Sequence, residues 1–292
     1  MSTSILRTAD AWWVATPDGA TRIDTTARTT GELLTSTFTT TSSPVPIDEL
    51  RLLSPITAPC RVVAQMTNYV SHVRDTGLNP KTTPLTFFRK SSGSISGPYD
   101  DVVKPSHVRL LDYEAEIGLV MGGDDQIAGL VITNDVSARD LQLPKTQFYE
   151  SKSYPTFTPA GPVLVLLDPG EIDRFADLRL RLWVNGELRQ DMTADDMIYP
   201  PAQALRALTR FQRLDPGDLV LTGTPVGTAL SAPPKPVQLI TSLLPAATKW
   251  RLFFKSQARN PKYLQDGDVV EIAIGTDDGK LDLGRQRTVV KA

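Results

Sequence analysis

The sequence is poor in cysteine, in excess charge and in long apolar runs. A single cysteine, Cys60, cannot form an internal disulfide, and this scarcity fits a reducing compartment. The formal net charge of -2 gives no general case for binding nucleic acid or membranes. No segment approaches the roughly 18 uncharged apolar residues of a membrane span, and MSTSILRTADAWWVATPDG lacks the pattern of a signal peptide. We expect a cytoplasmic protein without nucleic-acid or membrane partners.

The sequence also lacks the regular βα alternation of Rossmann and TIM-barrel folds and any phosphate-binding glycine loop. Instead, strand-like runs recur with Pro and Gly turns between them: RVVAQM, EAEIGLVM, AGLVITND, GPVLVLL, LRLRLWVNG, DLVLTG and DVVEIAIG. Helical patterns are few: NYVSHVRDTG, PPAQALRALTRF and a stretch near LLPAATKWRLFFKSQARN. These patterns predict a mainly β protein with some α structure.

The first 55 residues differ from the rest. AWWVATPDGATRID, Ala11 to Asp24, is typical of a hairpin, because two β-prone runs flank a Pro-Asp-Gly turn. A Ser- and Thr-rich passage and the Pro-punctuated VPIDELRLLSPITAP follow it, as in a linker. We predict a small N-terminal domain over residues 1–55 and a larger domain over residues 56–292.

One of the strand-like runs, LLDYEAEIGLVMG, carries two carboxylates in its middle, Glu114 and Glu116. Residues two apart on a strand share a face, with Cα atoms roughly 6.5 to 7 Å apart. Two like charges so placed in a low-dielectric interior cost several kcal/mol unless protons or a cation neutralise them. The alternative is that both face solvent on a half-exposed strand.

A third carboxylate is predicted to join this pair. The run IAGLVITND begins after a Gly-Gly-Asp-Asp turn and ends at Asp135. If the two runs pair as antiparallel neighbours, Asp135 lies opposite the region of Glu114. Three acidic oxygen ligands with open positions for water or substrate suit a hard cation, Mg²⁺ or Mn²⁺.

The sequence segments that contain and surround these residues resemble those of the fumarylacetoacetate hydrolase family. Six segments occur in the family's order over about residues 50 to 285: NYVSHVRDTG, FFRKSSGSISGP, LLDYEAEIGLVMG, GLVITNDVSARDLQ, KSYPTFTPAGPVLV and GDLVLTGTPVGT. The resemblance implies a mixed β-roll or barrel of rolled sheets with a small N-terminal domain, and a homodimer. It also makes Glu114, Glu116 and Asp135 the metal ligands, where the cation would chelate the oxo and carboxylate oxygens of an acylpyruvate-like or other oxo-acid substrate.

The resemblance assigns catalytic roles to His72, Asp75 and Lys152. His72 precedes Asp75 by three residues, so on a helix both could project from one face and the carboxylate could raise the basicity of the imidazole. Hydrolytic members use a His-Glu pair here, so the shorter Asp75 is a departure. Lys152 would meet substrate oxyanions beside the metal. The alternatives are that His72 only packs or caps its helix and that Lys152 is solvated.

The resemblance also predicts substrate-binding residues. Gln142 and Arg139 follow the third acidic ligand, and Arg139 alternatively holds neighbouring carboxylates in place. Gly223 and Thr224 lie in a turn at a strand end, where a hydroxyl and backbone N–H groups can contact substrate. The alternative is a turn that binds no ligand.

Two features depart from the family's usual pattern. Only a short turn joins the strands that carry Glu116 and Asp135, where relatives commonly insert a helix. The second departure is a stretch from Leu219 to Gln265 without Asp or Glu, whose basic residues are Lys235, Lys249, Arg251, Lys255, Arg259 and Lys262. Its Leu, Trp and Phe residues indicate a partly buried helix, and we expect a dimer contact or a cover near the active site; a membrane-surface helix is the alternative.

The sequence therefore predicts a divalent-metal enzyme that hydrolyses a C–C bond in an acylpyruvate-like or other 1,3-dicarbonyl or 2-oxo acid. The close alternative is a decarboxylase or isomerase of a 2-oxo or 2-hydroxydienoate acid on the same metal site. A third possibility, from another class, is a catalytically silent protein that kept the fold. The intact acidic set and Lys152 argue against it.

Overall fold

The computed structural model describes residues 2–41, 43–230 and 244–292 of the chain. Within these residues the protein is mainly β, as predicted, with several sheets. The strands are β1 (Thr3–Arg7), β2 (Trp12–Thr16), β3 (Gly19–Asp24), β4 (Thr39–Thr40), β5 (Val62–Met66), β6 (Thr86–Lys90), β7 (Ile95–Ser96), β8 (Val102–Val103), β9 (Leu111–Asp112), β10 (Ala115–Met121), β11 (Ile127–Asn134), β12 (Ser137–Ala138), β13 (Thr158–Leu166), β14 (Leu178–Val184), β15 (Glu187–Thr193), β16 (Leu219–Leu221), β17 (Val269–Thr276) and β18 (Asp282–Lys291).

Helices are short and lie between these strands. The α-helices are α1 (Thr30–Leu34), α2 (Val70–Asp75), α3 (Arg139–Lys145), α4 (Phe148–Ser151), α5 (Pro201–Leu208) and α6 (Ala246–Gln257). In the described ranges, four 3₁₀ turns cover Ile47–Glu49, Ser92–Ser94, Glu171–Asp177 and Ala194–Asp196. The three helical patterns recognised in the sequence contain α2, α5 and α6. None of the helices in the described ranges combines the length and apolar character needed to cross a membrane.

The strands form three sheets in the described part of the chain. The large sheet has eleven strands in the order β4-β3-β2-β1-β13-β11-β10-β16-β5-β6, with β7 paired to β13. A second sheet has the order β15-β14-β17-β18-β8, and β9 pairs with β12. No pairing between described residues joins β4 to β6, so the large sheet does not close into a barrel.

The main hydrophobic core lies between the large sheet and the five-stranded sheet. It contains Ile117 and Leu119 of β10, Leu130 of β11 and Leu180 of β14. The next residue along β10, Val120, belongs to a second cluster on the opposite face of the large sheet because successive side chains of a strand alternate. Every residue of β10 is buried, which explains why all of its residues other than Glu116 are apolar or glycine.

The N-terminal strands continue the large sheet. The predicted hairpin is present as β2 and β3, paired from Trp13 and Arg22 to Thr16 and Gly19. Strand β1 then pairs with β13, Ser4 opposite Val165. The division of the chain at residue 55 stays a prediction.

Candidate metal centre

The three predicted carboxylates meet at one point. β10 and β11 pair antiparallel with Ala115 opposite Asn134, and the Asp135 N–H donates to the Glu114 carbonyl oxygen at 2.9 Å. Glu114, Glu116 and Asp135 each offer a carboxylate oxygen, and these oxygens lie within 4.8 Å of one another. The residues are 4%, 2% and 1% exposed. The tight connection therefore preserves the convergence that the strand pairing predicts, and the solvent-facing alternative is wrong.

Two buried lysines bind this triad. Lys152 Nζ donates to Asp135 Oδ2 at 2.6 Å and also to Glu114 Oε2. Lys90 Nζ binds the other oxygen of Asp135 and donates to the Phe157 carbonyl oxygen at 2.9 Å. Burial lowers the pKa of Lys90. Burial acts the same way on Lys152, but the charges of Asp135 and Glu114 outweigh it and raise its pKa.

Arg139 binds two carboxylates of this cluster, Asp112 and Glu114. It donates to Asp112 at 2.8 Å, to Glu114 Oε1 at 2.5 Å and to Gln142 Oε1 at 2.8 Å. Burial by itself raises the pKa of Glu114, but the charges of Arg139 and Lys152 prevail and lower it. Arg139 therefore fixes the orientation of Glu114 and of the Gln142 amide. This agrees with the alternative role given for Arg139, that it holds neighbouring carboxylates in place.

Glu116 is the carboxylate of the triad that no lysine or arginine side chain binds among the described residues. Among the described residues, its only side-chain hydrogen bond comes from the Gly223 N–H, which donates to Oε2 at 2.7 Å. Burial, followed by the charges of Asp135 and Glu114, raises its pKa well above the ordinary value. Counting the buried charges gives four carboxylates, with Asp112, against three cations, Lys90, Arg139 and Lys152. With every group ionised, one negative charge in this cluster would lack a partner, in keeping with the raised pKa of Glu116.

These residues fit a divalent cation. The donor set consists of buried carboxylate oxygens, which are the ligands that Mg²⁺ and Mn²⁺ prefer. Among the described residues, no side-chain cation binds Glu116, so its ionised form would be balanced by a bound metal ion. Burial is the main cause of the raised pKa of Glu116, and a cation between the three residues would remove the repulsion from Asp135 and Glu114 that adds to it. The acidic triad can therefore bind a metal ion.

His72 lies on α2 at the edge of the same cavity. The residue is 8% exposed, and burial lowers the pKa of its imidazole, so the ring is neutral at neutral pH. Its Nδ1 atom is buried and has no hydrogen-bond partner in the described part of the chain. A neutral imidazole with an unpaired nitrogen can accept a proton.

Asp75 does not bind His72 in this structure. No hydrogen bond or ion pair joins the two side chains within the described residues, although the Asp75 charge acts on the imidazole from a distance. Asp75 is also absent from the lining of the cavity, which instead includes its neighbour Thr76. The expectation of a carboxylate-oriented histidine is not met in this geometry, although both residues lie on α2.

The turn that carries Gly223 and Thr224 is held by internal contacts. The Thr224 hydroxyl donates to the Ala115 carbonyl oxygen at 3.0 Å and accepts from Gln190 at 2.9 Å. Gly223 has φ +89°, and a Cβ atom there would lie 2.8 Å from the Cβ of Asn68. Only glycine fits this position. Thr224 lines the cavity, but its hydroxyl and the Gly223 N–H are occupied by protein partners.

A cavity of about 960 Å³ contains the triad. At its inner end it is lined by the predicted residues, His72, Gln142, Lys152 and the three carboxylates, together with Gln65, whose amide nitrogen is buried without a partner among the described residues. Helix α6 forms its outer wall, so the expectation of a cover near the active site is met for residues 246–257. Lys235 and the proline cluster before that helix lie outside the described residues.

Comparison with known proteins decides the family. The model of the fumarylacetoacetate (FAA) hydrolase C-terminal domain matches residues 61–291. The chain belongs to the fumarylacetoacetate hydrolase family. It is an enzyme of this superfamily, and the resemblance identified from the six sequence segments is confirmed.

Individual members of the family carry different activities in their names. Oxaloacetate tautomerase FAHD2B, mitochondrial, from Bos taurus is 33% identical over 202 residues, covering 65% of this chain and 63% of that protein. The chain therefore spans less than two thirds of this relative. The structures of 2-hydroxyhepta-2,4-diene-1,7-dioate isomerase from Mycobacterium marinum and of fumarylacetoacetate hydrolase from Exiguobacterium antarcticum each cover the whole chain. Their TM-scores are 0.71 and 0.72, both at 26% identity, over 98% and 100% of those chains.

Three residues at or beside this site were not predicted from the sequence: Lys90, Asp112 and Thr67. Lys90 stands in the quoted segment FFRKSSGSISGP, but a single lysine at a strand end gives no sign of burial. Asp112 precedes the two glutamates and binds Arg139 and the N–H of Ala229 at 2.8 Å each. Thr67 lines the cavity with φ +55°, a backbone conformation rare outside glycine and often found at functional sites.

Proposed function

We propose that the protein is a divalent-metal-dependent tautomerase or isomerase of a 2-oxo acid. The reaction would move a proton between the carbon beside a carbonyl group and either the carbonyl oxygen or a more distant carbon. The observation that carries this proposal is the buried triad, Glu114, Glu116 and Asp135, in one cavity with Lys152 and a neutral His72.

The triad would hold Mg²⁺ or Mn²⁺, and the cation would supply Lewis-acid stabilisation of negative charge on the oxo and carboxylate oxygens of the substrate. Glu114 and Asp135 are already held in position by Lys152, Lys90 and Arg139. Such preorganised charges need little rearrangement when substrate binds. Lys152 would donate a hydrogen bond to the carbonyl oxygen as negative charge develops there.

His72 is the candidate for the proton transfer. Burial keeps the imidazole neutral, and a ring nitrogen would accept the proton from the carbon next to the carbonyl. The electron pair of the C–H bond would move toward the carbonyl oxygen. Return of the proton to oxygen gives the enol, and return to another carbon gives the isomer. Gln142, whose amide oxygen is bound by Arg139, would donate from its NH₂ group to a substrate oxygen.

We propose proton transfer rather than hydrolysis because no carboxylate among the described residues binds His72. A base that activates water gains from a carboxylate that orients it, and Asp75 does not supply that contact. The tautomerase and isomerase names of the Bos taurus and Mycobacterium marinum proteins support the same choice.

Hydrolysis of a C–C bond is the second candidate. A neutral His72 could also take a proton from water, and the Exiguobacterium antarcticum protein is a fumarylacetoacetate hydrolase. In that case Lys152 would stabilise the enolate that departs when the bond breaks. Decarboxylation of a 2-oxo acid on the same residues is the third outcome to be measured.

The test is incubation with acetylpyruvate and with oxaloacetate in D₂O containing Mg²⁺, followed by NMR. We expect accelerated exchange of the C3 protons without formation of acetate. Pyruvate and acetate from acetylpyruvate would favour hydrolysis, and CO₂ from oxaloacetate would favour decarboxylation. His72→Gln should abolish the exchange while leaving metal binding intact. Absence of all three reactions, together with absence of Mg²⁺ or Mn²⁺ binding by calorimetry, would support a silent protein that kept the fold.

The oligomeric state and the cellular location of the protein are further expectations from the sequence. A homodimer and a cytoplasmic location stay predictions, and sedimentation of the purified chain would test the first. The partner that we propose for the site is a small-molecule oxo-acid substrate.

A further inference from the structure

The cavity has two ends of different chemistry. Its inner end contains the triad, Lys152 and Gln142. Its outer end, formed by lining residues that are half-buried or exposed, carries the apolar side chains Leu78, Leu143, Phe148, Trp250, Leu252 and Phe253 beside the polar side chains Thr76, Thr146, Lys249, Ser256 and Gln257. A volume of about 960 Å³ is at the upper end of the range of small-molecule sites. A four-carbon diacid occupies on the order of four water volumes of about 30 Å³ each, so it would fill the inner end alone.

An aromatic wall connects the two ends. Lys152 Nζ lies 5.3 Å from the centroid of the Phe88 ring, and Phe88 packs on Phe148 with ring centroids 5.2 Å apart. Lys152 also binds Glu114 and Asp135. A substrate whose oxo group meets Lys152 would therefore have aromatic surface beside its next atoms.

Helix α6 completes the wall of the cavity. Phe254 packs against the main core, and Asn260, just beyond the helix, donates to the Ala229 carbonyl oxygen at 2.9 Å. The anchored helix presents Trp250, Leu252 and Phe253 to the cavity. The Trp250 and Phe253 rings pack edge to face at 5.6 Å, and both also pack on the Phe254 ring, at 5.8 and 5.6 Å, so Phe254 holds both rings in place beside the cavity.

Two of the lining residues are exposed to an unusual degree. Leu78 is 58% exposed and Leu252 is 43% exposed, although both border a cavity with buried catalytic groups at its inner end. Contiguous exposed apolar surface commonly marks a binding site. Because this surface is continuous with the triad, a substrate reaching outward from the metal centre is the occupant that fits.

We propose that the substrate is a 2-oxo acid with a large apolar substituent, aromatic or a medium-length acyl chain, bound by Phe88, Phe148 and the cavity-facing side chains of α6. The proposal rests on the proposed function, because it places the oxo-acid end of the substrate at the triad. The apolar substituent lies between Phe148 and the face formed by Trp250, Leu252 and Phe253.

The charges of the cavity favour an apolar substituent over a second carboxylate. Apart from the triad and the cations bound to it, the charged residue among the described lining residues is Lys249. It is exposed on α6. A single exposed lysine discriminates weakly because solvent screens its charge, whereas burial of a phenyl group removes a large apolar area from water.

Binding of two unreactive analogues tests the proposal without turnover. Oxamate and N-phenyloxamate share the adjacent oxo and carboxylate oxygens and differ by one phenyl group. Calorimetry with the full chain and Mg²⁺ should give at least tenfold tighter binding of N-phenyloxamate. Phe253→Ala and the exposed Leu252→Ala should each reduce that preference severalfold. Phe211→Ala is the matched control, since Phe211 is 72% exposed, packs on Phe87 and lies outside the cavity lining.

Equal affinities for the two analogues, a preference unchanged in both α6 variants, or no binding of N-phenyloxamate would each overturn the proposal. A parallel assay compares proton exchange of benzoylpyruvate with that of acetylpyruvate, and a higher kcat/KM for benzoylpyruvate that Phe253→Ala removes supports it. Equal kcat/KM values contradict the substrate class while leaving the proposed reaction intact. Selective binding of N-phenyloxamate without any exchange contradicts the proposed reaction while leaving the apolar site intact.

Discussion

The backbone N–H of Gly223 donates to Glu116 Oε2 at 2.7 Å. Glu114 and Asp135 are bound by lysine or arginine side chains, but Glu116 receives only this hydrogen bond among the described residues. The triad is thus asymmetric: two carboxylates are balanced by protein cations and the third is not. This asymmetry makes Glu116 the residue whose behaviour should depend most on a bound metal ion.

Metal binding should therefore stabilise the protein through Glu116. At a metal concentration of 100 times Kd, the free energy of unfolding should rise by about 2.7 kcal/mol, because the folded state binds the ion and the unfolded chain does not. Glu116→Gln should remove most of that increase. Without metal, the same variant should be at least as stable as wild type, because it replaces a buried carboxyl group whose ionised form no side-chain cation among the described residues balances.

Thermal unfolding with EDTA, Mg²⁺ or Mn²⁺ measures these effects. Glu49→Gln, the same chemical change at an exposed 3₁₀ turn, should behave as wild type under all conditions. A melting temperature of the wild type that is indifferent to EDTA and to added metal would contradict the metal site.

Lys90 should be essential for stability although it lies outside the predicted catalytic set. It is 3% exposed and binds Asp135 and the Phe157 carbonyl oxygen. Lys90→Met leaves part of a buried carboxylate unbalanced and should cost about 3 to 5 kcal/mol. Lys81→Met, at an exposed position, should change stability by less than about 0.5 kcal/mol. Urea unfolding of the two variants gives the comparison, and equal midpoints would refute the structural role of Lys90.

Gly223→Ala should damage both the turn and the metal response. Its φ of +89° strains any other residue, and the added Cβ would lie 2.8 Å from the Cβ of Asn68. Gly170 provides a matched control because its φ is +86° and nothing lies within 4 Å of an added Cβ. Gly170→Ala should cost about 1 kcal/mol from backbone strain alone. Gly223→Ala should cost clearly more and should also weaken Mg²⁺ binding by calorimetry. Equal costs would show that the contact with Asn68 is readily relieved.

The stability of the protein should fall on mild acidification because of His72. Burial lowers the pKa of His72 in the folded state below its ordinary value of 6.5. Between these two values the unfolded chain binds more protons than the folded chain, so the free energy of unfolding rises with pH. The contribution is at most about 1.4 kcal/mol per pH unit. It begins as the pH falls below about 6.5 and ends at the lowered pKa of the folded state.

Comparison of wild type with His72→Gln isolates that contribution. The difference between their unfolding free energies should change as the pH falls below about 6.5 and be constant near pH 8. A difference that stays constant across the whole range would mean that His72 is as easily protonated in the folded protein as in the unfolded chain.

Local sequence patterns were sufficient for most of the strands. EAEIGLVM and AGLVITND are long enough and apolar enough to identify β10 and β11, and the Gly-Asp turn between them fixes their pairing. Helices α3 and α4 were not predicted, since they are short and α3 contains Pro144. Strand β18 was missed because its exposed positions carry Asp, Arg and Lys, so its alternating burial is hidden in a polar sequence.

The sequence by itself determined the triad and the family. Strand periodicity placed Glu114 and Glu116 on one face, antiparallel pairing brought Asp135 to them, and six ordered segments identified the fumarylacetoacetate hydrolase family. These features depend on local spacing and are therefore written in consecutive residues.

Only the tertiary structure decided how the triad is balanced and what surrounds it. Lys90 and Lys152 come from different segments, and their burial against Asp135 follows from sheet packing that no single segment encodes. Tertiary packing also places His72 in the cavity without a bond to Asp75. It brings Trp250 and Phe253 of α6 to the outer end of the cavity. Charge compensation and cavity shape depend on distances between residues far apart in sequence, and folding alone sets those distances.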